Sequence, residues 1–279
     1  MNMENGVHYR QWSTTGQPLH FFGANGFPTG CYQQSLTMLA QNFAVTSLHN
    51  RATWPNTEVP KKLNWKIYAQ DLIHFLDHHV GEPVIGVGHS MGATATVFAA
   101  NQRPDLFKKL VLIEPAMASP WLARLLPLLP FKLKKNIQPI KYTVNKPQHW
   151  ASKAEFFNDC RQRNVFKRIN DHNLNLLAEH SLVADGDNGL RLAFPKLWEA
   201  RNYASAPSLY KQLSEVNVPV VAIRGKPSLY FTEKSWQKWQ SFDGQHQFLE
   251  NANYGHLMPL ESPEDCVALI EQGLANIKQ

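Results

Sequence analysis

The sequence predicts an α/β protein in which a largely parallel sheet is interrupted by a mainly helical insertion, and three observations lead to this prediction. Strand-like and helix-like segments alternate through residues 1–115. From about Ala116 to Ser214 the chain is instead helix-like, basic and rich in aromatic residues. Sheet-type pattern resumes at "VPVVAIRG" and ends in a helix after Pro263. Alternating strands and helices are typical of a parallel sheet that is covered on both faces.

Each element follows from a local pattern. The segments "VHYRQW", "PLHFFG" and "FAVTSLH" are predicted strands, and "WKIYAQDLIHFLDHH" spaces its apolar residues as a helix does. Next come an apolar strand, "PVIGVGH", a helix that Pro104 ends, "MGATATVFAANQRP", and the strand "KLVLIEP". The strand "HQFLE" follows the insertion. We therefore predict a core of residues 1–115 and 215–279, with residues 116–214 as a helical cap.

Composition narrows the class of protein. The chain of 279 residues has 43% hydrophobic and 18% charged residues, which is typical of a soluble globular protein and excludes a disordered one. Its net charge of +6 suggests an anionic partner. We expect no nucleic-acid partner, because the sequence has neither zinc-finger spacing nor an RNA-binding aromatic signature. Neither a signal peptide nor a membrane-spanning segment is predicted, and Cys31, Cys160 and Cys266 suit a reducing cytoplasm. Nothing indicates the oligomeric state.

A candidate nucleophile, Ser90, lies in the stretch Gly88-His89-Ser90-Met91-Gly92, which fits the motif G-x-S-x-G between a strand and a helix. At such a sharp turn the serine is held in strained backbone geometry, and a side chain at position 88 or 92 would collide with the turn. The Oγ atom is thereby presented at a helix N-terminus, which favours developing negative charge. A glycine-rich turn that only joins strand to helix is the alternative, and the flanking elements disfavour it.

With this motif in this context, the sequence resembles the α/β-hydrolase superfamily over nearly its whole length. The resemblance implies the α/β-hydrolase fold, with Ser90 at the nucleophile elbow and a cap inserted after "KLVLIEP". No phosphate-binding glycine loop, metal-ligand cluster or cofactor fingerprint occurs in the sequence, and the implied chemistry requires neither cofactor nor metal.

A neutral serine hydroxyl attacks poorly without a general base. We assign that base from its sequence context. His256 in "NANYGHLMPLESPED" looks like the family's catalytic histidine loop, and it follows the serine in the chain as the family pattern requires. His89 lies inside the elbow, where packing is the favoured interpretation.

Two backbone amides are candidates for the oxyanion hole. One belongs to Met91, the residue after the nucleophile. The stretch "ANGFPTG" resembles the family's H-G-x-P loop, with Asn25 in place of the usual histidine, and this match implies Phe27 as the second donor. An ordinary Asn-Gly turn before a proline would satisfy the same residues.

The third member of a catalytic triad is the open question. In most relatives an aspartate follows the strand that here reads "VVAIRG", but this chain continues "KPSLY" without a carboxylate. Some relatives use the end of the earlier strand instead, which makes Glu114 the candidate acid. A structural role for Glu114, the first later acid Glu233, a Ser-His dyad, and orientation of the histidine by Ser228 or a backbone carbonyl all remain alternatives at this point.

The predicted cap holds the candidate substrate pocket. The stretch "PWLARLLPLLPFKLKK" is apolar with a basic end, which fits a lid over an acyl or aromatic pocket, weak contact with a membrane surface, or ordinary packing. Trp121 from this stretch is a candidate pocket residue. The segment "FPKLWEARNYASAP" resembles cap segments of bacterial hydrolases of this type, and it adds Trp198 and Tyr203 as candidates.

We therefore predict a serine hydrolase that cleaves carboxylic esters, including lipophilic esters or lactones, through an acyl-enzyme on Ser90. The small-molecule partner would be an ester or acyl substrate. Serine rather than aspartate at the elbow disfavours dehalogenase and epoxide-hydrolase chemistry. A C–C bond hydrolase or an acyltransferase would use the same residues. A non-catalytic ligand-binding protein on this scaffold is the alternative from a different class.

Overall fold

The computed structural model describes residues 2–4, 7–228 and 231–277. The described strands are β1 (Asn2–Glu4), β2 (Val7–Gln11), β3 (Gln17–Phe22), β4 (Phe43–Leu48), β5 (Val84–His89), β6 (Phe107–Ile113), β7 (His149–Trp150), β8 (Leu182–Ala184), β9 (Leu190–Leu192), β10 (Val220–Gly225) and β11 (His246–Asn251). The described α-helices are α1 (Gln33–Leu39), α2 (Lys66–Phe75), α3 (Met91–Gln102), α4 (Pro120–Leu125), α5 (Phe131–Lys134), α6 (Ile140–Asn145), α7 (Lys153–Arg161), α8 (Asp171–Ser181), α9 (Lys196–Tyr203), α10 (Tyr210–Ser214), α11 (Glu233–Gln240), α12 (Met258–Glu261) and α13 (Pro263–Asn276).

Eight of the described strands form one sheet in the order β1-β2-β4-β3-β5-β6-β10-β11. Strand β2 runs antiparallel to both of its neighbours, and all pairs from β4 to β11 are parallel. The predicted, mostly parallel sheet is therefore confirmed. Because its strands run the same way, the ends of β3, β5, β6, β10 and β11 lie along one edge, where the loops that carry chemistry in open α/β sheets are found.

The centre of the sheet is buried on both faces. Every residue of β5 and of β10 is buried, which explains why residues 84–88 and 220–223 are apolar without alternation. Helix α3 is apolar on all sides because its first ten residues, 91–100, are buried between the sheet and helix α2. One hydrophobic cluster contains α2 and α3, and a second includes residues of α1, α8 and α13.

Between the neighbouring strands β6 and β10 the chain leaves the sheet. The intervening residues form helices α4 to α10 and a small antiparallel sheet in the order β7-β9-β8. Helix α6 packs on α9, and α7 packs on α8. The sequence pattern did not predict the three short strands, each of which has two or three residues. Periodicity over so few residues is too short to be read as a strand.

The described helices are short. The longest, α13, has 14 residues. None of the helices in the described ranges is long and apolar enough to cross a bilayer.

Candidate active site

Ser90 occupies a strained turn between β5 and α3. Its backbone has φ 54 and ψ −116, and its side chain is buried. The glycines on either side are required by space. A Cβ on Gly88 would lie 2.4 Å from the Cα of Ala93, and one on Gly92 would lie 2.0 Å from the carbonyl oxygen of Phe22. The strained φ of a non-glycine residue persists because the surrounding backbone is packed this closely.

A chain of hydrogen bonds runs from this serine through His256 to Glu114. The Nε2 atom of His256 is 3.0 Å from Ser90 Oγ, and its Nδ1 atom is 2.7 Å from Glu114 Oε2. Because a carboxylate only accepts, the proton on the neutral ring is assigned to Nδ1, which leaves Nε2 to accept from the serine hydroxyl. The loop between β11 and α12 carries His256 to the same sheet edge as Ser90.

Glu114 directly follows β6 and is fully buried. Its backbone is left-handed, with φ 45, and its amide donates to the carbonyl of Ile223 at 2.9 Å. The carboxylate also accepts two hydrogen bonds from the end of β10. Gly225 N–H donates to Oε1 at 2.9 Å, and Ser228 Oγ donates to Oε2 at 2.5 Å. A buried carboxylate is stable only with such partners, and this one has three.

The other candidate acid, Glu233, lies elsewhere. It is the first residue of α11 and forms an ion pair with the buried Arg224 at 2.8 Å. Arg224 also pairs with Glu250. The Arg224 guanidinium holds the pKa of the Glu233 carboxyl below its usual value. Leu229 and Tyr230, which end the stretch "KPSLY", lie outside the described residues.

A second hydrogen-bonded chain connects the loop after β3, the elbow and the histidine loop. Ala24 N–H donates to the Tyr32 hydroxyl at 3.0 Å, which lies 2.8 Å from His89 Nδ1. His89 Nε2 lies 2.8 Å from the carbonyl oxygen of His256. That carbonyl can only accept, so Nε2 carries the proton and Nδ1 accepts from the tyrosine. Burial lowers the pKa of His89 to about 3 and raises the pKa of Tyr32, so both groups are neutral.

The sequence did not reveal this second chain. His89 was interpreted as a packing residue, and Tyr32 carried no motif of its own. The only available signal was the position of Tyr32 soon after the "ANGFPTG" loop, because pairing across 57 residues cannot be read from local pattern.

The loop after β3 is fixed by polar contacts with α9. Asn25 Nδ2 donates to the Glu199 carbonyl at 3.1 Å, and Asn202 Nδ2 donates to Asn25 Oδ1 at 2.8 Å. The amide of Phe27 makes only a long hydrogen bond of 3.4 Å, to the Ala24 carbonyl. Met91 is the first residue of α3, and the first amides of a helix have no acceptor within it. Phe27 and Ser90 line the same cavity, and Met91 directly follows Ser90, so both amides stay candidates for the oxyanion hole.

A cavity of about 760 Å³ opens beside Ser90 and His256. Its wall is mostly apolar and includes Phe27, together with residues of α4, α6, α7, α8 and α9. The charged side chains that line it are Lys146, Arg163 and Glu199, and Lys146 pairs with Glu199. Among the described residues no group of three or more His, Cys, Asp or Glu side chains is arranged to hold a metal ion.

The three predicted pocket residues have different surroundings. Tyr203 lines the cavity. Trp198 does not line it, because it is 1% exposed and packs in the hydrophobic cluster with α2 and α3. Trp121 does not line it either, and the residue is 63% exposed. The three cysteines are buried and unpaired, and burial raises the pKa of each thiol to about 12.

Comparison with known proteins agrees with this architecture. The sequence profile of the Alpha/beta hydrolase family matches residues 13–269. The chain belongs to this family. Human and rat monoglyceride lipases are each 26% identical to the α/β hydrolase over 140 residues, which are 47% of this chain and 46% of the relative, so the match spans about half of each protein.

Solved structures share the fold at low sequence identity. An E-2-(acetamidomethylene)succinate hydrolase superimposes on the α/β hydrolase with a TM-score of 0.77 at 18% identity, covering 96% of this chain and 95% of the other. A thermophilic esterase from Thermogutta terrifontis superimposes with a TM-score of 0.71 at 16% identity, covering 98% and 94%. The resemblance predicted from the elbow motif is confirmed, and so is the α/β-hydrolase fold.

Proposed function

We propose that this α/β hydrolase is a serine hydrolase that cleaves carboxylic esters through an acyl-enzyme on Ser90. The single observation that carries the proposal is the continuous hydrogen-bonded chain from Ser90 through His256 to Glu114 at the wall of a large cavity. A nucleophile, a base within hydrogen-bond reach and a third group that orients the base are the parts that acyl transfer requires.

The proposed reaction has two halves. Ser90 Oγ attacks the ester carbonyl while His256 Nε2 takes its proton, and Glu114 stabilises the imidazolium that forms. The amides of Met91 and Phe27 donate to the oxyanion. His256 then gives its proton to the leaving alcohol, and a water activated by the same histidine releases the acid from Ser90. His256 returns the proton of that water to Ser90 Oγ as the acid leaves, so the enzyme ends in its starting protonation state.

The cavity supports a lipophilic substrate. Most of its lining is apolar, and a cavity of about 760 Å³ is within the range that takes drug-sized molecules. In keeping with this, the matched relatives include enzymes named monoglyceride lipase and esterase. We propose that residues 116–214 act as the cap of the enzyme, because residues of α4, α6, α7, α8 and α9 form much of the cavity wall.

Covalent labelling tests the proposal. A fluorophosphonate should modify Ser90, as read by intact mass and peptide mapping, and the modification should be lost in His256→Ala. The matched control is His172→Ala, an exposed histidine on α8. Short p-nitrophenyl esters should be hydrolysed by the parent and the control but not by Ser90→Ala. Parent-level turnover by Ser90→Ala, or labelling at another residue, would contradict the proposal.

A further inference from the structure

Exposed apolar side chains are concentrated in one segment. Of the ten large apolar side chains that are exposed among the described residues, seven lie within residues 121–142. Five of these define an apolar–basic surface together with the neighbouring exposed cations Arg124, Lys132, Lys135 and Lys141; the five are Trp121, Leu125, Leu128, Leu129 and Leu133. Apolar residues scattered singly over a surface are normal, whereas a concentration of this kind marks an interaction site.

The charged residues of this segment are all basic. Residues 115–154 contain seven Lys and Arg residues and no Asp or Glu. Two of the seven face inward, since Lys134 Nζ donates to the Ala204 carbonyl and Lys146 pairs with Glu199. Arg124, Lys132, Lys135 and Lys141 are exposed, and within the described ranges none of them forms an ion pair. Their charge is therefore available to an anionic partner.

The same segment borders the mouth of the cavity. Ile137, Gln138 and Tyr142 are exposed and also line the cavity. Leu122 and Leu126, which are neighbours of the exposed Leu125, line it as well. One side of this short stretch thus forms the cavity wall while the other side is in solvent.

We propose that the apolar–basic surface docks the protein on a lipid bilayer that carries anionic headgroups. Its leucines and Trp121 enter the interface while the cations meet the headgroups. A lipophilic ester then passes from the bilayer through the adjoining mouth into the cavity without crossing bulk water. Only this passage rests on the proposed function; the docking itself does not.

The charge pattern favours a bilayer over other occupants. A second copy of the chain would bring two acid-free basic surfaces together, and like charges in contact are destabilising. A nucleic acid would satisfy the cations but would leave the five apolar side chains of the surface without partners. An anionic bilayer satisfies both features of the surface at once.

Vesicle binding tests the docking. The parent should sediment with vesicles of phosphatidylcholine mixed with phosphatidylglycerol, and binding should weaken with salt and with phosphatidylcholine alone. Charge reversal at three exposed cations should lower partitioning by about 100-fold or more, because each contributes to binding near the surface; the substitutions are Lys132→Glu, Lys135→Glu and Lys141→Glu. The matched control reverses three exposed lysines elsewhere and should keep parent partitioning; it carries Lys61→Glu, Lys62→Glu and Lys66→Glu.

A second variant tests the apolar contribution. Three exposed leucines that do not line the cavity are replaced, and partitioning should fall by about ten-fold or more; the changes are Leu125→Ser, Leu128→Ser and Leu133→Ser. Similarly exposed side chains outside the surface provide the control, Val183→Ser with Leu197→Ser. All variants should hydrolyse a short soluble ester at the parent rate, which also shows that they are folded.

The results separate docking from catalysis. Failure of the parent to bind anionic vesicles, or parent-level binding by the charge-reversed variant, would overturn the docking proposal. The proposal would also be overturned if light scattering shows that the parent is a dimer, the leucine variant is a monomer, and neither of the two proteins binds vesicles. If the parent binds vesicles but hydrolyses no ester, the docking stands and the proposed function fails. If it hydrolyses the short ester but ignores vesicles, only the docking fails.

Discussion

Glu114 holds the position on which the proposed chemistry depends most. Its carboxylate accepts from His256 Nδ1, Gly225 N–H and Ser228 Oγ, and the side chain is fully buried. The residue does not lie after β10, where the family resemblance leads one to expect an aspartate; it follows β6 and reaches across to that strand end. Gly225 and Ser228 come from the usual location and bind the carboxylate there, so the charge is next to the histidine although its residue is one strand away.

Glu114→Gln should lower kcat for a short p-nitrophenyl ester by roughly 10⁴-fold while KM changes little. The amide would donate to His256 Nδ1 and so favour the wrong tautomer for accepting the Ser90 proton. Because the site is buried, the melting temperature must be measured beside the rate to separate catalysis from folding.

Glu233→Gln is the matched control for that substitution. Glu233 is an exposed acid outside the Ser90–His256–Glu114 chain, and its buried partner Arg224 keeps its ion pair with Glu250 when Glu233 is replaced. The kcat of the Glu233→Gln variant should therefore stay near the parent value. Near-parent turnover in Glu114→Gln, or a loss of turnover confined to Glu233→Gln, would show that the acid has been assigned to the wrong residue.

Among the structural elements, the loop after β3, the elbow and the histidine loop are held together by the Tyr32–His89 chain. The Ala24–Tyr32 bond braces the segment between β3 and α1, the Tyr32–His89 bond joins that segment to the elbow, and the His89–His256 bond joins the elbow to the histidine loop. Tyr32→Phe would leave the Ala24 amide and His89 Nδ1 without this partner. We expect a loss of about 1–3 kcal/mol for each unsatisfied group.

Urea denaturation and steady-state kinetics would measure the effect of Tyr32→Phe together. The hydrogen-bonded chain holds the Ala24 amide and the His256 carbonyl, and neither Tyr32 nor His89 lines the cavity, so kcat should fall more than KM rises. Tyr210→Phe is the control, because its hydroxyl bonds a serine on α11 in a part-buried site. A Tyr32→Phe protein with parent stability and parent kcat would show that the chain has no positioning role.

For the molecule as a whole, the sequence was most informative where an element carries a strong local signal. The buried strands β5 and β10 and the elbow glycines could be predicted because burial on both faces and steric exclusion restrict the residue types there. The approach of Glu114 to His256 was only one of several open alternatives. Local pattern does not show which strand end an acid reaches across to.

The side chains that line the pocket could be predicted from the sequence only in part. Trp198 and Tyr203 are five residues apart on α9, so they point about 140° apart around the helix and cannot both face one cavity. Glu199 and Tyr203, four residues apart, share a face, and both line the cavity. Periodicity could separate the two faces of α9, but only the packed structure shows which face the cavity meets.

Two buried histidines, His20 and His89, and the half-buried His49 link the stability of the whole fold to pH. Burial lowers the pKa of His20 and His89 to about 3 and that of His49 to about 4, from 6.5. Between these values and 6.5 the unfolded chain binds protons that the folded chain excludes. The free energy of unfolding should therefore be highest above pH 6.5 and fall as the pH drops toward the folded values, by about 1.4 kcal/mol per pH unit for each histidine.

Substitution of one of these histidines should reduce the slope. Urea denaturation of the parent and of His20→Leu at pH 5 and pH 6 should show slopes that differ by about 1.4 kcal/mol per pH unit, because the variant has one fewer group that only the unfolded chain protonates. His20 lies on β3 away from Ser90, so its removal tests the linkage without touching the candidate site. His172→Gln, an exposed histidine, controls for the loss of a histidine as such. Equal slopes in the parent and in His20→Leu would mean that His20 takes up its proton in the folded state, and that its burial does not exclude the charged form.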